Sequence, residues 1–137
     1  MPTDISVSAQ TVRRAPSRPW LAGPHGTDLP DHVVYDFTTF THANFTTNKL
    51  IPNGTVLGRI TASGKYGPYD PAASDGRQTA ARFAFNDTSI PADTAKIVTD
   101  AALSHCGVRV AGLPIKTGPG SLDTAARTAL KLVVFYG

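Results

Sequence analysis

Cysteine is nearly absent from this chain. One, Cys106, stands among 137 residues, which excludes an internal disulfide framework and points to an intracellular place of synthesis. Charge is thin too: 17% of the residues are charged and the formal net charge is only +3. The basic side chains are scattered, apart from Arg13, Arg14 and Arg18. That is too little for a nucleic-acid-binding stripe, and neither an RNA-binding sheet motif nor a basic-aromatic surface accompanies it, so no direct nucleic-acid partner is expected. It does suit an acidic partner surface near the amino-terminal arm. Also missing are an apolar run of membrane-spanning length and a hydrophobic signal core at the amino end. The expectation is a chain that is cytosolic and soluble when made, with no membrane partner.

Catalytic signatures are missing as well. The segment from Gly58 to Lys65 invites comparison with a phosphate loop, but five residues separate Gly58 from Gly64 where four are needed, and Tyr66 follows Lys65 in place of Ser or Thr. The histidines His25, His32, His42 and His105 share no ligand spacing. Asp28, Asp31, His32 and Asp36 are close enough in sequence to hold an adventitious cation; solvated loop residues are the plainer reading. His105 and Cys106 are adjacent, so on a strand they point to opposite faces and make no nucleophile pair by themselves. No nucleophile elbow occurs. Asn-x-Thr triplets at Asn44, Asn53 and Asn86 read as turn chemistry, since no signal peptide precedes them. The sequence therefore nominates no catalytic residue, no metal ligand and no cofactor, and it does not read as an enzyme.

What it has in quantity is turn chemistry. Eleven Pro and twelve Gly, with many Thr, predict short strands and frequent turns, hence a mainly β domain. The length suits one domain over residues 31–137 carrying an appended arm over residues 1–30. Residues 50–78 organise the rest. Ile51, Thr55, Val56, Leu57 and Ile60 are strand formers, entered through a turn at Pro52-Asn53-Gly54 in which Asn or Gly takes the positive φ. Gly58 interrupts the run, which predicts a bulge or a close backbone approach. After Thr61, the residues Gly64, Gly67, Pro68, Asp70, Pro71, Asp75 and Gly76 predict a long loop without a regular element.

Elsewhere, residues 32–37 read as a strand followed by an irregular or extended stretch. Residues 79–86 alternate as a strand with Phe83 and Phe85 on one face and Arg82 and Ala84 on the other. Residues 87–94 read as a turn-rich loop. Residues 95–104 are ambiguous between helix and strand, and Ile97-Val98 favours strand. Residues 106–113 complete a hairpin-like pair. Ser121 is a candidate N-cap for a short helix over residues 122–130, with Asp123 in its first turn. Residues 131–136 (KLVVFY) form a closing strand too apolar to be left exposed, either in the core or between subunits.

The arm breaks at Pro16, Pro19, Pro24 and Pro30, which bars it from a central ladder. An extended stretch of ~25 residues reaches on the order of 80 Å. Both a disordered tail and a partner-bound strand fit it. Trp20 and Leu21 either tuck back onto the domain or anchor the arm on a neighbour.

One set of strings is specific. Gly54, Thr55, Val56, Leu57, Gly58, Ile60 and Thr61 stand within GTVLGRIT, followed by Ser63, Gly64, Lys65 and Tyr66 in SGKY and then by the turn Asp75-Gly76. This order resembles the head-decoration (capsid-cementing) proteins of tailed bacteriophages, the family that includes phage lambda's decoration protein. The resemblance runs over residues 30–137, since the carboxy end also offers an Ala/Thr/Arg-rich helix leading into an apolar strand. It implies a small β-tulip or β-clip-like domain, mainly β, with one short carboxy-terminal helix and an extended amino-terminal arm. It also implies a homotrimer on the exterior of the expanded capsid, at three-fold and quasi-three-fold positions. There it would cement the major capsid protein lattice against DNA pressure. Such a chain is made in the host bacterial cytoplasm and resides on the virion. Under this resemblance Ile5, Val7, Val12, Arg13, Arg14, Arg18, Trp20 and Leu21 become candidate capsid-binding residues. Residues 5–12 would donate backbone hydrogen bonds to a capsid sheet edge. The long, Arg-containing arm and the lengthened loop over residues 66–75 depart from the family pattern. The rivals are another small β-rich virion or tail interaction module, and a small-ligand-binding or hydrolytic domain for which the cluster from Asp28 to Asp36 is the weak nominee.

Overall fold

The computed structural model describes residues 17–28 and 30–137. In chain order its elements are β1 Asp31–Val34, α1 Ala43–Thr46, β2 Leu50–Ile51, β3 Val56–Arg59, β4 Tyr66–Pro68, β5 Ala80–Ala84, β6 Thr88–Ser89, β7 Thr99–Leu103, β8 Cys106–Arg109, α2 Thr124–Ala129 and β9 Val133–Tyr136, with single 3-10 turns at Phe37–Thr39 and Val110–Gly112. Five strands form one antiparallel sheet in the order β1-β7-β5-β3-β4, while β2 pairs with β6 and β8 pairs with β9. The fold is mainly β, with a short carboxy-terminal helix.

Alternation explains how so short a chain builds two cores. On β3, β5 and β7, neighbouring residues point to opposite faces of the sheet. Val56, Phe83 and Leu103 enter one core with Trp20, Tyr69, Val108, Leu113, Leu130 and Val133. Leu57, Ala84 and Ala102 enter the other, with Val33, Tyr35, Phe37, Phe40, Phe45 and Ile51. The sheet is therefore covered on both sides, and a one-residue slip would exchange the two sets. In the second core Phe40 meets Tyr35 edge-on at 5.7 Å and Phe45 edge-on at 5.0 Å, the arrangement that ring quadrupoles favour.

Several expectations change in detail. The loop after Thr61 contains a real strand, β4, because Pro68 sits on the edge of the sheet, where a missing N–H costs nothing. The strand after Asp31 stops at Val34, and the stretch beyond it coils into a 3-10 turn capped by Asp36 and then into α1. The loop over residues 87–94 contributes the short β6. Within residues 95–104 the strand begins only at Thr99, and Ile97 is left 69% exposed. The segment from Cys106 does not hairpin back on β7. It pairs in parallel with β9, Cys106 opposite Val133 and Arg109 opposite Tyr136. The cap of α2 is Asp123, not Ser121: its carboxylate accepts from the Ala126 N–H at 2.7 Å, while the Ser121 hydroxyl donates to the Gly118 carbonyl. The same carboxylate accepts from the Tyr69 hydroxyl at 2.8 Å. Burial, helped by that carboxylate, pushes the Tyr69 phenol up to about 12.

Candidate functional site

The motif strings fold into three linked turns. At the first, the Thr55 N–H and hydroxyl both return to the Pro52 carbonyl, and Gly54 adopts φ +90°. A Cβ on Gly54 would lie 2.8 Å from the Trp20 indole, so both the backbone conformation and the packing demand glycine. At Gly58 the register of β3 against β5 shifts, and a Cβ there would come within 2.6 Å of the Arg77 Cα. Bulge and close approach are thus one feature. The second turn joins β3 to β4. Ile60 N–H donates to the Lys65 carbonyl, Gly64 N–H donates to the Ile60 carbonyl, and the Ser63 hydroxyl accepts from Lys65 N–H. Tyr66 then stands opposite Arg59 in the ladder. In the third, Thr61 N–H donates to the Asp75 carbonyl, and Gly76, at φ +115°, presses on the Arg59 carbonyl and on Thr61. The Asp75 carboxyl lies below its ordinary value. Burial works against this, but the Arg77 backbone N–H and the guanidinium 3.0 Å away outweigh it. The chemistry of these strings is backbone geometry.

The described part of the arm, residues 17–28, is built into the domain. Trp20 is fully buried, stacked on Phe83 at 5.6 Å, with its Nε1 donating to Asn53 Oδ1 at 2.7 Å. Asn53 in turn donates from Nδ2 to Asp87 at 2.8 Å and to the Ser17 carbonyl at 3.2 Å. Arg18 donates from Nε to the Phe85 carbonyl at 2.6 Å and from Nη2 to Asn86 Oδ1 at 2.8 Å, with its guanidinium 3.9 Å above the Phe85 ring. Leu21 bridges Val108 in antiparallel fashion, flanked by Arg109 N–H to the Trp20 carbonyl and Ala22 N–H to the Gly107 carbonyl. This segment thus lines the side of β8 away from β9.

Of the eight arm residues singled out by sequence, Arg18, Trp20 and Leu21 turn inward and root the arm. Ile5, Val7, Val12, Arg13 and Arg14 lie outside the described residues. Contacts with the domain extend back to Ser17, whose carbonyl accepts from Asn53 Nδ2.

A second surface lies at the carboxy end. Leu132, Val134 and Tyr136 are 64%, 54% and 55% exposed, and among the described residues no strand covers the outer edge of β9. Beside them a groove of about 450 Å³ is lined by Ala22, Gly23, Pro24, His25, Gly107, Val134 and Tyr136. It is a shallow apolar face with few polar groups. The carboxylates nominated from sequence are not brought together: Asp31 pairs with Arg82 at 2.8 Å and Asp36 caps its own turn. Among the described residues no group of three His, Cys, Asp or Glu side chains is placed to hold a metal. Burial pushes the Cys106 thiol up to about 11, which makes it a poor nucleophile. No helix among the described residues is long and apolar enough to cross a membrane.

Comparison with protein-family models matches residues 31–132 to the family described as Bacteriophage lambda head decoration protein D. No curated protein matches, and neither does any solved structure. The matched span holds all three turns and the five-stranded sheet, and leaves out the root segment before it and β9 after it.

Proposed function

This chain belongs to the bacteriophage lambda head decoration protein family, and from that premise we propose that it is a structural protein of a phage virion, seated on the outside of the capsid. The family match over residues 31–132 carries this reading. The geometry supports it: the motif residues serve turns and packing, while the polar and apolar surfaces suit contact. In finer terms, the chain binds the expanded capsid as a homotrimer at three-fold and quasi-three-fold positions and cements the major capsid protein lattice against internal DNA pressure.

Two surfaces divide the work. The apolar face of Leu132, Val134 and Tyr136 meets another copy of the chain, since a strand edge with this much exposed apolar area is ordinarily an interface. Residues 1–16 reach the capsid, with Ile5, Val7 and Val12 filling apolar sites and Arg13 and Arg14 meeting carboxylates. Arg18 and Trp20 hold the near end of that arm in a fixed place. Three arms on one trimer bind together, so modest contacts per arm become strong when the lattice spacing matches. Binding then follows shell expansion.

The test is addition of the purified chain to undecorated expanded heads, reading occupancy and resistance to rupture. Expanded heads that stay bare and equally fragile would end the proposal.

A further inference from the structure

His25 and His105 are brought into contact from positions far apart in the chain, and nothing described so far uses them. Their Nε2 atoms face each other at 3.1 Å, with the ring centroids 4.3 Å apart and the planes at 68°. Both rings sit on prepared supports. His25 lies in the turn closed by the Thr27 N–H and hydroxyl onto the Pro24 carbonyl. Gly26 in that turn, at φ +79°, is pressed against the His105 carbonyl so closely that no Cβ would fit. His105 occupies the β7–β8 turn, one residue before the strand to which Ala22 is hydrogen-bonded.

We propose that this pair is a binding site for a single transition-metal dication of the zinc or copper class, which clamps the arm root to the β7–β8 turn. Zinc–imidazole bonds are roughly 2.0–2.1 Å long. Two such bonds ending on nitrogens 3.1 Å apart meet at roughly 100°, between the cis square-planar and tetrahedral angles. Bonds along the ring axes would place the centroids roughly 4.8 Å apart, so the rings open by about half an ångström on binding. His25 is exposed and His105 is half-buried, and side chains so placed make that movement freely. No third His, Cys, Asp or Glu joins them among the described residues, so water or a group from a neighbouring molecule completes the shell. Two imidazoles select copper over zinc and leave magnesium and calcium, which demand oxygen, unbound. The plainer use of the contact is a hydrogen bond between rings in complementary tautomers, which both rings surrender when the metal enters. The site stands independently of the capsid reading.

The experiment titrates the full chain with Zn²⁺, Cu²⁺ and Mg²⁺ by calorimetry, beside His25→Ala and His105→Ala, and follows thermal unfolding with and without metal. The expected result is one equivalent of Zn²⁺ or Cu²⁺ bound per chain, no response to Mg²⁺, and a loss of affinity of about tenfold or more in each variant. Metal raises the melting temperature of the parent and of neither variant, while all three melt alike without it. The ring resonances of both histidines shift together on adding Zn²⁺. Absence of saturable binding, or binding that survives in either variant, overturns the proposal; the latter would show the metal held elsewhere, at the chain terminus or another side chain.

Discussion

The indole Nε1 of Trp20 donates to Oδ1 of Asn53 across 33 positions of sequence, at 2.7 Å and away from solvent. That single bond ties the root of the arm to the turn that opens the family motif. Because Asn53 also donates to Asp87 and to the Ser17 carbonyl, one amide closes three segments at once.

Removing either partner is expected to show it. Trp20→Ala empties a fully buried site and should lower unfolding free energy by about 3–5 kcal/mol. Asn53→Ala leaves the indole N–H without its acceptor and removes the side-chain bond to Asp87, which keeps only the backbone N–H of residue 53, for about 1–3 kcal/mol. Urea unfolding with an unchanged m-value measures both. If Asn53→Ala unfolds at the parental midpoint, the amide does not hold the root.

Glycine at the motif turns is expected to be irreplaceable for a backbone reason. Gly76 at φ +115° abuts Thr61 and the Arg59 carbonyl, so Gly76→Ala meets both strain and a clash. The loss should exceed about 1 kcal/mol. Gly23, by contrast, has open space around it and no positive φ, and Gly23→Ala should be nearly silent. Equal denaturation midpoints for the two variants would remove the explanation.

These cases show what a sequence can and cannot say here. The turn at Pro52-Asn53-Gly54, the irregularity at Gly58 and the alternating faces of Phe83 and Ala84 are local, so each is legible from its own residues. The partner of a strand is not local. Residues 106–109 hold the apolar pattern of a strand, but nothing in them distinguishes pairing with the preceding strand from pairing with β9. Trp20 was ambiguous for a similar reason: a proline-broken neighbourhood reads as arm, and only the pocket between Phe83 and Asn53 makes it core. Asp123 and Ser121 are both able caps, and Tyr69 settles which one turns inward. The metal pair has no sequence signature at all, since 80 positions separate its members.

Acid is expected to weaken one of these turns in a defined window. The folded Asp75 carboxyl lies below its ordinary value, so its contribution to stability is present above the unfolded carboxylate pKa of about 3.9. It is lost as pH falls through the lowered folded value. Asp75→Asn should therefore be less stable than the parent near neutrality, by no more than about 1 kcal/mol for so exposed a pair. The two stability curves should converge in strong acid. A constant gap across the whole range would point to packing instead of charge.

The exposed terminal strand carries the expectation about assembly. Val134→Lys with Tyr136→Ser changes two side chains that are more than half exposed, so the fold should be kept and self-association lost. Sedimentation is expected to show a trimer for the parent and a monomer for the variant, with matching circular dichroism. A variant of parental mass would move the interface to another face.

Truncation separates the arm's two parts, and the cut must be placed by the packing. Removing residues 1–20 would take Trp20 out of the core and confuse a lost contact with a damaged domain. The described anchorage of Arg18, Trp20 and Leu21 lies at residues 17–28, so a chain starting at Ser17 retains it. That shorter chain should melt within a few degrees of the parent. On the proposed trimer, loss of three arms removes the multiplied affinity, and occupancy on expanded heads should fall by about 10²-fold or more at limiting concentration. A double replacement, Arg13→Ser with Arg14→Ser, should weaken binding less, and chiefly at low salt, where exposed charges act over longer distances. Full occupancy by the chain lacking residues 1–16 would transfer capsid binding from the arm to the domain, and the loop between β3 and β4 would then be the first surface to change.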